Sequence, residues 1–150
     1  WTSKRPPMKD RLGKAGLLTD DTRATVVFEE HAKVYRAKNP SRRRILRYRV
    51  DGQMVTGGER CDFLMGVPEF NSVYLIELKG ANLKKAASQI LATLSALEGP
   101  ISPYRQYARI VLSRVQRPAV VPAIVMKLQK RLAARHGCLR YAPQVFEEEL

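Results

Sequence analysis

The feature that most constrains the fold is the run Val-Tyr-Leu-Ile-Glu-Leu-Lys at residues 73–79. It is almost continuously apolar, which predicts a central strand that is buried on both faces of its sheet. Gly80 follows the run and is expected to end it. With 150 residues, the chain is long enough for one domain that buries roughly two-thirds of its unfolded surface.

The segments around this strand alternate between the two kinds of secondary structure. After it, Asn82 predicts a helix start, and apolar residues recur at helical spacing as far as Leu97. The pattern predicts further strands at residues 22–36, 45–50, 60–65, 108–113 and 138–141, and a second helix at residues 122–136 closed by Gly137. The order indicates an α/β fold with a mixed β-sheet flanked by helices. We expect one domain over residues 21–150, after a basic, loosely attached N-terminal arm over residues 1–20.

Charge indicates the class of partner. The chain has 27 Lys and Arg against 14 Asp and Glu, a formal net charge of +13. An excess of this size predicts a polyanionic partner, of which DNA, RNA and an acidic membrane surface are the candidates. Of these candidates nucleic acid is expected as the partner and a membrane is not; no apolar run reaches the ~20 residues that span a bilayer. The basic N-terminus lacks the apolar stretch of a secretory signal, which favours a cytoplasmic location.

Charged residues inside an apolar strand need an explanation, because burying charge is costly. Glu77 and Lys79 share one strand face, because side chains alternate with period two. If the strand containing Asp62 pairs with it as an antiparallel hairpin, two carboxylates and an amine converge at an open site. Carboxylate oxygens suit Mg²⁺, with Mn²⁺ as an alternative. The metal would stabilise charge on a phosphate and activate a water, and Lys79 would act on that water or on the phosphate.

Asp62, then Glu77-Leu78-Lys79 ending an apolar strand, then a helix, resembles the PD-(D/E)xK nuclease superfamily over about residues 45–114. The resemblance implies a restriction-endonuclease-like fold, whose core is a helix, three antiparallel strands, a helix and a further strand. It also implies that Asp62, Glu77 and the Leu78 carbonyl bind the metal, that Lys79 is catalytic, and that Gln89 on the next helix contributes. Cys61 stands where the family has proline, and the family's first core helix is not evident.

Four basic residues are candidates for contact with nucleic acid. Lys84 and Lys85 lie in the first turn of the helix after the motif, where the helix N-terminus adds partial positive charge. Arg43 and Arg44 belong to a basic run before the strand at residues 45–50. For each, a solvated surface position is the alternative. Similarly, Gln89 is as readily explained as a half-buried glutamine.

These observations predict a Mg²⁺-dependent nuclease that hydrolyses phosphodiester bonds of nucleic acid, with DNA favoured over RNA. The alternative is a non-cleaving nucleic-acid-binding module on a nuclease scaffold. A third interpretation is a basic interaction protein in which the three residues coincide at strand ends, with Glu77 and Lys79 as a simple ion pair and Asp62 capping a turn. Because little of the chain lies outside the expected core, a homodimer mate, a protein partner or the shape of the nucleic acid would supply target specificity.

Overall fold

The computed structural model describes residues 5–78, 82–115 and 120–150. Within these ranges the chain forms nine strands and four α-helices. In chain order these are α1 (Met8–Leu12), β1 (Leu17–Asp21), β2 (Thr25–Glu30), β3 (Lys33–Lys38), β4 (Ile45–Arg49), β5 (Phe63–Val67), β6 (Ser72–Glu77), α2 (Leu83–Ala96), α3 (Glu98–Ile101), β7 (Arg105–Leu112), α4 (Ala123–Ala133), β8 (Leu139–Pro143) and β9 (Val145–Glu149). A short 3-10 helix, Pro68–Phe70, connects β5 to β6.

The strands form two mixed sheets. The larger has six strands in the order β1-β4-β5-β6-β7-β8, antiparallel from β1 to β6 and parallel from β6 to β8. The smaller has three strands in the order β2-β3-β9, with β9 parallel to β3. The predicted α/β class with a mixed sheet flanked by helices is therefore confirmed, with a second sheet that the sequence did not indicate.

Strand β6 lies inside the larger sheet, and all of its residues are buried. Val73 and Leu75 pack in the core cluster that contains the apolar residues of α2 and α4. Tyr74 and Ile76 pack in the cluster formed with the smaller sheet. Helices thus cover one face of β6 and a sheet covers the other, which is why the strand is apolar at nearly every position.

The two longer helices begin where the sequence predicted. The Asn82 side chain accepts a hydrogen bond from the Lys85 backbone N–H (2.8 Å) and so caps α2. Pro122 precedes the first turn of α4. At the other end of α4, the Gly137 N–H donates to the Leu132 carbonyl (2.9 Å). A Cβ at Gly137 would lie 1.7 Å from the Gln106 carbonyl oxygen, so no larger residue fits there without movement of the backbone.

The N-terminal region differs from the loosely attached arm expected over residues 1–20. Helix α1 places Met8 and Leu12 in the core with 4% and 7% exposure. Strand β1 pairs antiparallel with β4 and forms one edge of the larger sheet. Apolar burial at two spaced positions and backbone pairing hold the segment, although its overall composition is polar and basic.

Two further segments differ from the predictions. The single strand predicted at residues 22–36 is a hairpin, because His31 and Ala32 adopt positive φ angles of 53° and 60° and reverse the chain between β2 and β3. The acidic C-terminal end, which had no predicted structure, forms β9 in the smaller sheet.

Candidate functional site

The candidate site lies where β5 and β6 meet the start of α2. These strands are antiparallel, with Phe63 opposite Ile76. One step further along the same register, Asp62 lies opposite Glu77. Directly opposite residues of an antiparallel pair project on the same face. That face is the one covered by α2, because Leu64 and Leu75 belong to the same cluster as the α2 side chains. The structure therefore brings Asp62 and Glu77 together.

Both carboxylates are buried, with no exposed surface. Asp62 Oδ2 accepts a hydrogen bond from the Leu78 backbone N–H (2.7 Å), which fixes the aspartate against the end of β6. The expectation of an open site is therefore wrong for these two side chains: α2 and the surrounding apolar residues cover the face on which they lie. Lys79 and Gly80 lie outside the described residues.

Gln89 is also brought to this site. Its amide has two possible orientations, and one of them directs the oxygen only at other acceptors. In the orientation that satisfies both ends, the amide nitrogen donates to Glu77 Oε2 (3.2 Å) and to the Lys85 carbonyl (3.3 Å). The side chain therefore holds Glu77 against α2.

Thr93, one helical turn after Gln89, was not predicted to contribute. Its buried hydroxyl accepts a hydrogen bond from the Cys61 backbone N–H (2.8 Å) and donates to the Gln89 carbonyl (2.8 Å). The hydroxyl thus fixes the backbone next to Asp62. A threonine within the apolar stripe of a helix was the available signal. Burial, together with the negative charge of Glu77, raises the pKa of the Cys61 thiol and keeps it protonated.

The two lysines at the start of α2 are both exposed. Lys85 Nζ donates to Glu59 Oε1 (2.7 Å), and Glu59 also accepts from the Ser88 hydroxyl. The hydrogen bond from Lys85 is the main reason why the pKa of Glu59 lies below its ordinary value. The lysines lie at the end of α2 that follows β6, but Lys85 already has a carboxylate partner.

Arg43 and Arg44 are not brought to the carboxylate pair. Because Arg49 lies opposite Phe63, these arginines are at the far end of β4, roughly 16 Å of strand away. Arg44 makes two hydrogen bonds of 2.8 Å with Asp20. Arg43 donates to Glu69 Oε2 (2.7 Å), and its guanidinium lies 4.4 Å from the centre of the Phe70 ring. Both side chains hold parts of the fold together.

Among the described residues, no group of three or more His, Cys, Asp or Glu side chains forms a metal-binding cluster. No helix in residues 5–78, 82–115 or 120–150 is long and apolar enough to cross a membrane. Comparison with protein-family models, curated proteins and solved structures finds no significant match.

Proposed function

We propose that this chain is a metal-dependent nuclease that acts on nucleic acid, with DNA favoured over RNA. The observation that carries the proposal is the register of β5 and β6, which sets Asp62 opposite Glu77 at the end of a buried central strand. A strand interior is an expensive place for two carboxylates, so their burial side by side supports a role as ligands.

The order of elements supports the restriction-endonuclease-like fold. Helix α1 precedes the larger sheet, β4, β5 and β6 are consecutive antiparallel strands, and α2 then leads to β7, which lies parallel beside β6. This is the order that the resemblance to PD-(D/E)xK nucleases implies. Strand β1 intervenes between α1 and β4, β2 and β3 of the smaller sheet follow it, and β9 joins that sheet from the C-terminal end.

The donors present fit a divalent cation. The Asp62 and Glu77 carboxylates and the Leu78 carbonyl would hold Mg²⁺, which prefers oxygen ligands and usually takes one or two carboxylates. When bound, the metal would stabilise charge on the phosphate and acidify a water. The chain's own contribution is orientation: the Leu78 N–H fixes Asp62, and the Gln89 amide fixes Glu77. Lys79, two positions after Glu77 in the sequence, would act on the water or the phosphate.

A metal titration tests this proposal directly. Calorimetry with Mn²⁺ should show a site in the wild-type chain that is lost in Asp62→Asn. Glu69→Gln serves as the matched control, because Glu69 is an exposed carboxylate paired with Arg43 at the far end of β4. The same preparations should then be incubated with labelled DNA and RNA, in Mg²⁺ and in Mn²⁺. Absence of metal binding and of cleavage in the wild type would refute the proposal.

A second candidate is a nucleic-acid-binding module that does not cleave. It is favoured by the burial of both carboxylates, which leaves neither exposed to a substrate phosphate. Gel shifts in Ca²⁺, read together with the Mn²⁺ titration and the cleavage assay, separate the two candidates. A chain that binds labelled nucleic acid, binds no Mn²⁺ and cleaves nothing would be the binding module.

A further inference from the structure

The positive charge of the chain is concentrated in one segment. Between Glu98 and Glu147 the sequence contains no acidic residue. The same segment contains nine basic residues: Arg105, Arg109, Arg114, Arg117, Lys127, Lys130, Arg131, Arg135 and Arg140. It therefore accounts for +9 of the net charge of +13, and the rest of the chain for +4.

Ion pairs offset part of the positive charge outside this segment. Asp20 pairs with Lys9 and Arg44 (3.0 and 2.8 Å). Glu147 pairs with Arg36 and Lys38 (2.9 and 3.0 Å). These ion pairs lie on α1, β1, β3 and β9 and just before β4, and each carboxylate offsets one of its two cations, which reduces the net field that this part of the surface presents to a polyanion.

Helix α4, by contrast, has exposed basic side chains. Its apolar residues Val125, Leu128 and Leu132 are buried in the core. Lys127 and Lys130 are exposed on the other side, and neither makes an ion pair within the described ranges. Arg131 lies beside Lys127 one helical turn on, and its guanidinium donates to the Ser95 hydroxyl of α2 (3.0 Å). Residues three and four apart on a helix are neighbours, so these three cations form one continuous patch.

We propose that Lys127, Lys130 and Arg131, the α4 basic surface, bind the phosphate backbone of the nucleic acid. The inference rests on the proposed function and adds the place where the substrate is held. Along the helix axis the three cations span about 6 Å, which matches about two phosphates of one strand at 3.4 Å each along the duplex axis. Contacts to phosphate set the position of a nucleic acid without reading its sequence. The surface therefore serves binding and not target choice.

The position of the surface agrees with this role. Helices α4 and α2 pack on the same face of the larger sheet, joined by the bond from Arg131 to Ser95. Helix α2 also supplies the Gln89 amide that holds Glu77. The α4 basic surface and the carboxylate pair are thus both on the face of the larger sheet that the helices cover. A nucleic-acid strand bound along α4 can therefore approach the carboxylates without crossing the smaller sheet.

The test is the salt dependence of binding, measured by fluorescence anisotropy with labelled DNA in Ca²⁺. The Lys127→Gln/Lys130→Gln variant should lower the slope of log K against log salt by about 1.8 for a duplex or about 1.4 for a single strand. With the two affinities equal at 1 M salt, this corresponds at 0.1 M salt to a loss of affinity of about 25- to 60-fold. The matched control is Lys14→Gln/Arg42→Gln, which removes two exposed lysine or arginine charges elsewhere and should leave the slope unchanged.

The outcomes distinguish this inference from the proposed function. If the wild type binds and cleaves DNA but both double variants show the same slope as the wild type, the α4 basic surface is refuted and the nuclease proposal stands. If the wild type binds no nucleic acid, both fail. Mn²⁺ affinity should be unchanged in Lys127→Gln/Lys130→Gln, because the carboxylates are intact. Stronger binding to phosphatidylserine vesicles than to DNA, lost in the same variant, would overturn the inference in favour of a membrane surface.

Discussion

The Arg109–Glu148 ion pair joins the two sheets, and replacing Glu148 by Gln tests how much the junction contributes to stability. Arg109 is on β7 and is almost fully buried; its Nε donates to Glu148 Oε2 (2.7 Å) and its Nη2 to Glu148 Oε1 (3.3 Å). The Tyr35 hydroxyl of β3 also donates to Glu148 Oε2 (2.7 Å). One carboxylate of the smaller sheet thus meets a charge of the larger sheet.

The expected cost of Glu148→Gln follows from what the substitution leaves behind. The arginine stays charged and buried, with its guanidinium 5.4 Å from the centres of the Tyr74 and Tyr107 rings. Removing one partner of a buried pair costs about 3–5 kcal/mol, mostly because the remaining charge is uncompensated. The rings and the carbonyls of Ala108 and Cys138, which accept from Nη1, stabilise that charge in part. We therefore expect Glu148→Gln to lower the free energy of unfolding by about 3 kcal/mol, the lower end of that range.

Urea denaturation followed by circular dichroism measures this free energy. The matched control is the neighbouring Glu147→Gln, which removes a carboxylate that is 40% exposed and pairs with Arg36 and Lys38 at the surface. Exposed pairs contribute little, so this variant should unfold with the wild type. Equal destabilisation by the two substitutions would show that the buried pair contributes nothing beyond general charge balance. Arg109→Met combined with Glu148→Leu should recover stability relative to Glu148→Gln, because no unpaired charge remains.

Three further predictions concern the candidate site and Asp20 of the larger sheet. Thr93→Val leaves a buried backbone N–H without its acceptor and should cost about 1–3 kcal/mol of unfolding free energy in urea, whereas Thr93→Ser, which keeps the hydroxyl, should cost less. Hydrogen bonds from Arg44 hold the pKa of Asp20 below its ordinary value of 3.8, so Asp20 stabilises the fold above that pH and the contribution is lost as pH falls below it. The melting temperature of the wild type should therefore fall more steeply below pH 4 than that of Asp20→Asn. Lys79→Ala should abolish cleavage but retain Mn²⁺ and DNA binding, whereas Glu77→Ala should lose Mn²⁺ binding and cleavage together; a Lys79→Ala chain that cleaves normally would contradict the role given to the lysine.

The sequence predicted the parts of the fold that have a strong local signal. Residues 73–76 are apolar at consecutive positions, and α2 combines helical spacing with an Asn82 cap, so neither needed knowledge of distant contacts. The pairing of Asp62 with Glu77 was also predictable, because a short connection between two strands favours an antiparallel hairpin. The depth at which the carboxylates are buried depends on how α2 covers the sheet, and no local pattern encodes it.

The segments that were not predicted depend on distant partners. Helix α1 has only five residues, and its Met8 side chain packs where Gly66 of β5 has no side chain. A Cβ at Gly66 would lie 2.6 Å from the Met8 sulfur. Strand β9 is rich in glutamate and resembles a solvated tail, yet Glu147 meets Arg36 and Glu148 meets Arg109. These partners are 111 and 39 positions away, respectively, so the strand forms because its charges are matched across the fold.

Helix α2 connects the two features that the proposals use. On one side, Gln89 and Thr93 contact Glu77 and the backbone before Asp62. On another, Ser95 accepts a hydrogen bond from Arg131 of the α4 basic surface. A change that displaces α2 should therefore weaken metal binding and nucleic-acid binding together, whereas neutralising Lys127 and Lys130 should weaken only the second. The Thr93→Val variant tests which of the two features the Thr93 hydroxyl supports. If this variant binds Mn²⁺ more weakly but shows the wild-type salt dependence of DNA binding, the hydroxyl supports the carboxylate pair alone.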